Sequence, residues 1–447
     1  MRQPGNFSRI LGAVAILSAA GLGSAGPAPA PAPAKTNGGW IGTWATAAER
    51  PVPAHPDTFH DQTLRLVVHV SAGGAKVRVR ISNTFGDAPL VLGAAHAARR
   101  TAGAAIDPTS DRRLTFAGQA SVSIAPHATI VSDPVELDVP PLSDLAISLF
   151  LPETTVATTE HVLAKQTSYV GAETGDRTAA ADFPGAKKIT SWPFLTGVDV
   201  TASARGASIV AFGSSLTDGD GSTRDANRRW PDVLAERLLK ADPHAEIGVL
   251  NEGLIGNRLL TDFESPRQGG GPFAETFTEL GPALGQSGVA RFERDVLDQP
   301  GVKWVFLALG VNDILFPGTF IPASESVTAE SLIEANRRLT ARARAKGIRV
   351  IGTTIPPFED ATFKNPTIFF FTPEKEAVRQ KVNAWIRSGK GFDAVVDFDE
   401  AVRDPARPTR VLPAYDSGDH VHPNDAGYVA TGDLIPLELF APAASPK

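Results

Sequence analysis

An apolar run from Ile209 to Phe212 stops at Gly213 and is followed by two adjacent serines, Ser214 and Ser215. A hydroxyl delivered at the end of a buried strand is a candidate nucleophile if a base can reach it. Far downstream, "YDSGDHVHPNDAG" places Asp419 three residues before His422. An acid and an imidazole in one turn are a candidate orienter and base. Between the two segments lie "NEGLIGN", with Gly256, and "GVNDI", with Gly310, Asn312 and Asp313. A glycine amide and a carboxamide suit a developing oxyanion. Nucleophile, oxyanion donors, base and orienter are the parts of acyl transfer.

These groups meet only if regular elements deliver them to one place. From Ala202 onward, strands and helices alternate. "ASIVAF", "EIGVL", "KWVFLAL", "IRVIGTTI" and "DAVVDF" read as strands. "WPDVLAERLLKA", "GVARFERDVLDQ", "TAESLIEANRRLTARARAKG", "PEKEAVRQKVNAWIRSG" and "NDAGYVATGDLIPLELF" read as helices. The alternation predicts an α/β domain over 202–447, a five-stranded parallel sheet covered on both faces. Ligands bind such sheets beyond the C-terminal strand ends, and there the candidate residues fall.

The preceding segment, 40–201, has another rhythm. "TLRLVVHV" and "KVRVRIS" alternate around the turn "SAGG", and further short strands follow between Gly, Pro, Asp and Ser. This predicts an all-β sandwich, jelly-roll-like. Before it, "AGPAPAPAPAK" is an extended Ala-Pro linker within 26–39. The first 25 residues join Arg2 and Arg9 to a short apolar stretch and small residues, the order of a secretory signal peptide cut after Ala25. A retained N-terminal anchor is the alternative, but a span needs about 20 apolar residues. Secretion or a periplasmic location follows as the expectation.

Composition narrows the classes. The chain has 447 residues, 42% apolar and 21% charged, with formal net charge -6. That is a globular composition, and its acidity argues against a nucleic-acid partner. With no cysteine, thiol chemistry, disulfides and lipid attachment through an N-terminal cysteine are excluded.

The motif set resembles the SGNH, or GDSL, family of esterases and lipases, with four blocks in the family's order from Ile209 towards the C-terminus. "GSSL" stands where the family has Gly-Asp-Ser-Leu, which makes Ser215 the nucleophile. "NEGLIGN" is similar to the second block and puts the oxyanion glycine at Gly256. "GVND" matches the third, with Asn312 as the oxyanion carboxamide, and "DHVH" matches the last, giving Asp419 and His422. The resemblance implies a flavodoxin-like sheet and an oxyanion hole of the Ser215 and Gly256 amides with Asn312. It implies no metal or cofactor, and no integral membrane partner. The flanks "SWPFLTGVDV", "NRRWPDVLAERL", "GTWATA" and "GGAKVRVRISNTFGDAPL" resemble a subgroup with an N-terminal β domain associated with xylan-degrading loci. Its members lean towards acyl-carbohydrate esterases.

Departures from the pattern matter too. Ser214 replaces the family's Asp and is read as a structural substitute, organising the loop by hydrogen bonding without charge. His244 sits in a surface-type turn, and His420 has the wrong offset from Asp419, leaving it either a place on the substrate rim or simple solvation. Asp313 is read as an Asx-turn or cap, and Asp218 and Asp220 as turn or capping acids. There is neither a Gly-Lys-Ser/Thr phosphate loop nor a Gly-x-Ser-x-Gly elbow. Phe369, Phe370 and Phe371 are candidates for a substrate wall, with packing onto the core the equal alternative. Thr261–Gln286 is a candidate lid, and Trp40 and Trp44 are read as buried or interdomain, with sugar stacking the alternative.

The expected protein is a secreted serine esterase acting on a small-molecule or polysaccharide-borne ester, including O-acetyl groups on carbohydrate. A lipase or arylesterase is one alternative. A carbohydrate-binding protein with a degenerate hydrolase domain is the other.

Overall fold

A strand buried on both faces needs a continuous apolar run, and Ala207–Gly213 is buried at every residue. In the computed structural model, which describes residues 39–52, 56–263, 281–362 and 369–441, this strand is the first of a five-stranded parallel sheet. The second strand (Ile247–Glu252) pairs on one side of it and the third (Val302–Ala308) on the other. The fourth (Arg349–Thr353) and fifth (Ala394–Val396) extend the sheet beyond the third. The connections therefore part in opposite directions at the C-terminal end of the first strand, which opens a crevice there.

Alternate residues of these strands feed two cores. Val210, Phe212, Val305, Leu307 and Val350 face one side. Ile209, Ala211, Trp304, Phe306 and Ile351 face the other. Among the described residues, eight α-helices accompany the sheet: α1 (Ser215–Asp218), α2 (Trp230–Ala241), α3 (Gly288–Phe292), α4 (Val311–Leu315), α5 (Ala329–Ala345), α6 (Pro373–Arg387), α7 (Phe398–Val402) and α8 (Asp425–Asp433). On α5, Leu332 and Leu339 close the first core with Val382 and Ile386 of α6. On α2, Trp230, Leu234 and Leu238 close the second with Tyr428 of α8. Thr328 and Thr372 cap α5 and α6 by accepting the amides of Ser331 and Lys375. The last helix is shorter than its sequence pattern: α8 stops at Asp433, and Pro436, which has no amide to donate, starts a separate turn at Leu437–Phe440.

The N-terminal region is mostly strands in two antiparallel sheets. One contains Trp40–Ala45, Leu195–Thr201 and Gly74–Ser82; the other centres on Gln62–Val70 and Ser143–Leu151. Leu64, Leu66 and Val68 of one sheet share a core with Val77, Val79 and Ile81 of the other, which makes a sandwich. Simple alternation fails in Gln62–Val70, because its outer face is covered as well. There Arg65 is fully buried, donating to the Ala104 and Ala180 carbonyls with its guanidinium 4.0 Å from the Phe183 ring centre.

Residues from Gly39 on form one compact unit. Strand Trp40–Ala45 lies against the parallel sheet. The Gly42 amide donates to Ser208 Oγ at 3.0 Å, and the Val249 amide to Ser71 Oγ at 2.8 Å. A Cβ on Gly248 would fall 1.8 Å from the Gly42 carbonyl oxygen. Gly248→Ala should therefore force the two layers apart and cost about 2 kcal/mol, as overpacking does; a urea unfolding curve measures this as a lower midpoint.

Candidate active site

The first strand must turn sharply to expose a side chain at its end. Gly213 permits this, since a Cβ there would lie 2.0 Å from Thr217 Oγ1. The next residue's carbonyl, that of Ser214, accepts the Thr217 and Asp218 amides at 2.9 Å each. The turn α1 thus runs from Ser215 to Asp218 and is closed by Gly219, which adopts φ +102°. The second strand's end presses on the same turn: Asn251 Nδ2 donates to the Thr217 carbonyl, and a Cβ on Gly253 would meet the Asp218 amide at 2.1 Å.

Three side chains then form one hydrogen-bonded line. His422 Nε2 is 2.8 Å from Ser215 Oγ, and His422 Nδ1 is 2.6 Å from Asp419 Oδ2. The spacing works because Asp419 Oδ1 accepts the amides of Val421 and His422, at 2.9 and 2.8 Å, and winds the segment into a tight turn. A carboxylate only accepts, so Nδ1 carries the proton of the neutral imidazole and Nε2 faces the serine hydroxyl as acceptor. Burial pulls the His422 imidazole down, but the hydrogen bond and charge of Asp419, aided by Asp220, outweigh it and hold the ring above its ordinary value. Burial pushes Asp419 up; the bond and charge of His422 prevail and hold it well below the usual carboxylate range.

Gly256 adopts φ +65°, and a Cβ there would meet Leu284 Cδ2 at 2.5 Å, so conformation and space both require glycine. Asn312, buried in α4, donates one Nδ2 hydrogen to the Asn257 carbonyl at 3.0 Å, which leaves its second for a ligand. The Ser215 amide opens a helical turn and has no intrahelical acceptor. Asp313 does not cap its own helix. Its two oxygens accept the Leu259 and Leu260 amides at 2.7 and 3.0 Å and tie α4 to the loop that carries Gly256.

One residue with no motif signal joins these parts from below. Arg291 of α3 is fully buried and donates to the Gly213 and Glu252 carbonyls, Asn257 Oδ1 and Asp295 Oδ2. It therefore ties the ends of the first two strands to the Gly256 loop. An arginine in an amphipathic helix looks like a surface residue, so only the fold reveals it.

A model of the GDSL-like lipase/acylhydrolase family matches residues 209–435, half of the chain. The chain belongs to that family of ester hydrolases. Among curated proteins no match is found. Similar solved structures include the inhibitor-bound aryl esterase of M. smegmatis, 19% identical, with TM-score 0.36, covering 51% of this chain and 95% of that one. Another is a GDSL-like lipase from Bacteroides thetaiotaomicron VPI-5482, 16% identical, with TM-score 0.32, covering 51% and 84%.

The remaining candidates of this GDSL hydrolase take different places. His420 folds back on its own loop, with Nδ1 2.5 Å from Asp416 Oδ2. Phe370 is no substrate wall: it is fully buried and packs on Phe320 at 4.9 Å between ring centres. Phe371 is half-buried against Phe358, and only Phe369 is exposed. Trp44 is buried edge-on to Trp192, and Arg78 lies over Trp40. Most of the candidate lid, 264–280, lies outside the described residues, as do the signal peptide and the linker up to residue 38. At the base of that insertion the Phe263 amide donates to the Gly285 carbonyl. Asp218 lies in the turn, as expected, but its Oδ1 faces His161 of the N-terminal layer.

Ser214 departs furthest from expectation. Its hydroxyl is buried and has no hydrogen-bond partner among the described residues, so it organises none of them through its side chain. An unsatisfied buried hydroxyl costs about 1–3 kcal/mol. Ser214→Ala should therefore keep or raise thermal stability and leave turnover within about twofold of wild type, as thermal melts and ester kinetics would show.

Proposed function

We propose that the chain is an exported serine esterase that works through an acyl-enzyme on Ser215. The observation that carries this reading is the buried line from Ser215 through His422 to Asp419. Ser215 Oγ attacks the ester carbonyl and gives its proton to His422 Nε2. Asp419 keeps the ring in the required tautomer and stabilises the imidazolium. The oxyanion is received by the Ser215 and Gly256 amides and the free Asn312 Nδ2 hydrogen. The imidazolium then protonates the leaving alcohol, and water repeats the sequence to release the acid. The proposed substrate class is an O-acetyl or other acyl group on carbohydrate, supported by the flanking sequences around the N-terminal β layer. Export rests on the N-terminal signal pattern.

Aryl or lipid esters are the second reading, favoured by Phe369, 72% exposed. Lys375 Nζ binds the carbonyls of Leu315 and Phe370, which holds this segment beside the Asn312 helix. Acetylated xylan compared with p-nitrophenyl esters of graded chain length separates the readings. Turnover of long acyl chains alone would remove the carbohydrate version.

Ser215→Ala should abolish fluorophosphonate labelling and lower kcat about 10⁴-fold or more. Undiminished labelling would remove the nucleophile assignment. Asn312→Ala should lower kcat about 10²- to 10³-fold. Because the base must be neutral and His422 is held above the ordinary imidazole value of 6.5, kcat/KM should fall on acidification through a pKa above 6.5. A pH–rate profile measures that limb.

A further inference from the structure

We propose that His161, which belongs to the N-terminal β layer, is a positioning residue for Ser215: as an imidazolium it clamps Asp218, the last residue of the turn that Ser215 begins. The inference rests on the reading of Ser215 as nucleophile.

The clamp is built from both sides. His161 Nε2 is 3.0 Å from Asp218 Oδ1, with the two side chains only 1% and 2% exposed. His161 Nδ1 is 2.9 Å from the Ala47 carbonyl oxygen. A carbonyl and a carboxylate both accept, so each ring nitrogen carries a proton and the ring is a cation. The ring cannot drift, since the His161 and Trp192 backbones exchange hydrogen bonds and the two rings lie 5.7 Å apart. Asp218 cannot drift either. Its amide is bonded to the Ser214 carbonyl, and Gly253 packs directly on its backbone. A fixed cation in one layer therefore holds the far end of a single helical turn whose near end is Ser215.

Other titratable groups flank the pair. Glu49 lies on the His161 side. Burial drives it up to about 8, against His161 and the Val162 amide, which donates to Glu49 Oε1 at 2.7 Å. Glu160 is also pushed up by burial, to about 7. Arg229 and Tyr428 feel Asp218 from the other side, but Arg229 is engaged by both oxygens of Asp232. Burial opposes protonation of His161; the charge and bond of Asp218, then Glu49, overcome it and raise the ring to about 9. A raised imidazole value means the stabilisation is complete below about 6.5 and is lost as pH rises through about 9. Above that range Asp218 is left buried opposite a neutral ring, and the turn loosens.

The test measures kcat and KM for p-nitrophenyl acetate against pH with the full chain, together with nitrogen-15 spectra of the histidines. Wild type should lose kcat through an alkaline limb near 9 with little change in KM, and its His161 should be doubly protonated at neutral pH. His161→Gln should lower kcat about ten- to a hundredfold at neutral pH and remove that limb. In Asp218→Asn, His161 should lose its proton well below 9. A His161→Gln enzyme with kcat near wild type, or with the limb unchanged, would overturn the proposal. So would a neutral His161 in wild type at neutral pH, a measurement that stands even if the variant does not fold. Full activity in Ser215→Ala would instead remove the nucleophile reading and leave the protonation result in force.

Discussion

A carboxylate taken out of water must be paired, and the turn that carries Ser215 is surrounded by buried carboxylates. Asp419 is paired with His422, Asp218 with His161 and Asp295 with Arg291, while Asp313 is held by two backbone amides. Leaving one partner out would strand a buried charge at a cost of about 3–5 kcal/mol. The partners come from the last loop, the N-terminal layer, α3 and the Gly256 loop. Each pairing therefore also positions a segment that bears on the site.

The parallel sheet makes such convergence possible. Its second and third strands lie on opposite sides of the first, so the first strand ends at a crevice with the neighbouring loops on either side. Glycines at 213, 253 and 256 stand where any Cβ would collide with Thr217, Asp218 or Leu284. Arg291 then satisfies two strand-end carbonyls and the Asn257 side chain with a single guanidinium. The planar fork of arginine suits that task, and a lysine's point charge does not.

The N-terminal layer is part of this arrangement and not an appendage to it. Its first strand approaches the second parallel strand so closely that Gly42 and Gly248 can carry no side chains, and Ser71 and Ser208 supply hydrogen bonds across the junction. Lys165 of that layer reaches Asp220 at 3.3 Å, two residues beyond the Ser215 turn. Residues that read as ordinary members of a β-sandwich thus act on a turn built more than forty positions later.

The strands and longer helices were legible because their signals are local: continuous apolar runs, 3.6-residue periodicity, and Thr or Pro at helix starts. Ser215, Gly256, Asn312, Asp419 and His422 stood out as candidates because the family keeps such residues in short motifs in a fixed order, and the structure joins Ser215, His422 and Asp419 by hydrogen bonds. The roles of Arg291, His161 and Ser214 were not, nor was the core position of Phe370. A histidine in "TTEHVLA" or an arginine in an amphipathic helix carries no local sign of what it will face, because its partner is 57 or 78 residues away. The sequence by itself determined the chemistry on offer and the sheet that delivers it, since both depend on neighbouring residues. Which buried charges meet, and therefore which side chains hold Ser215 in place, was decided only when the two layers packed and water was excluded between them.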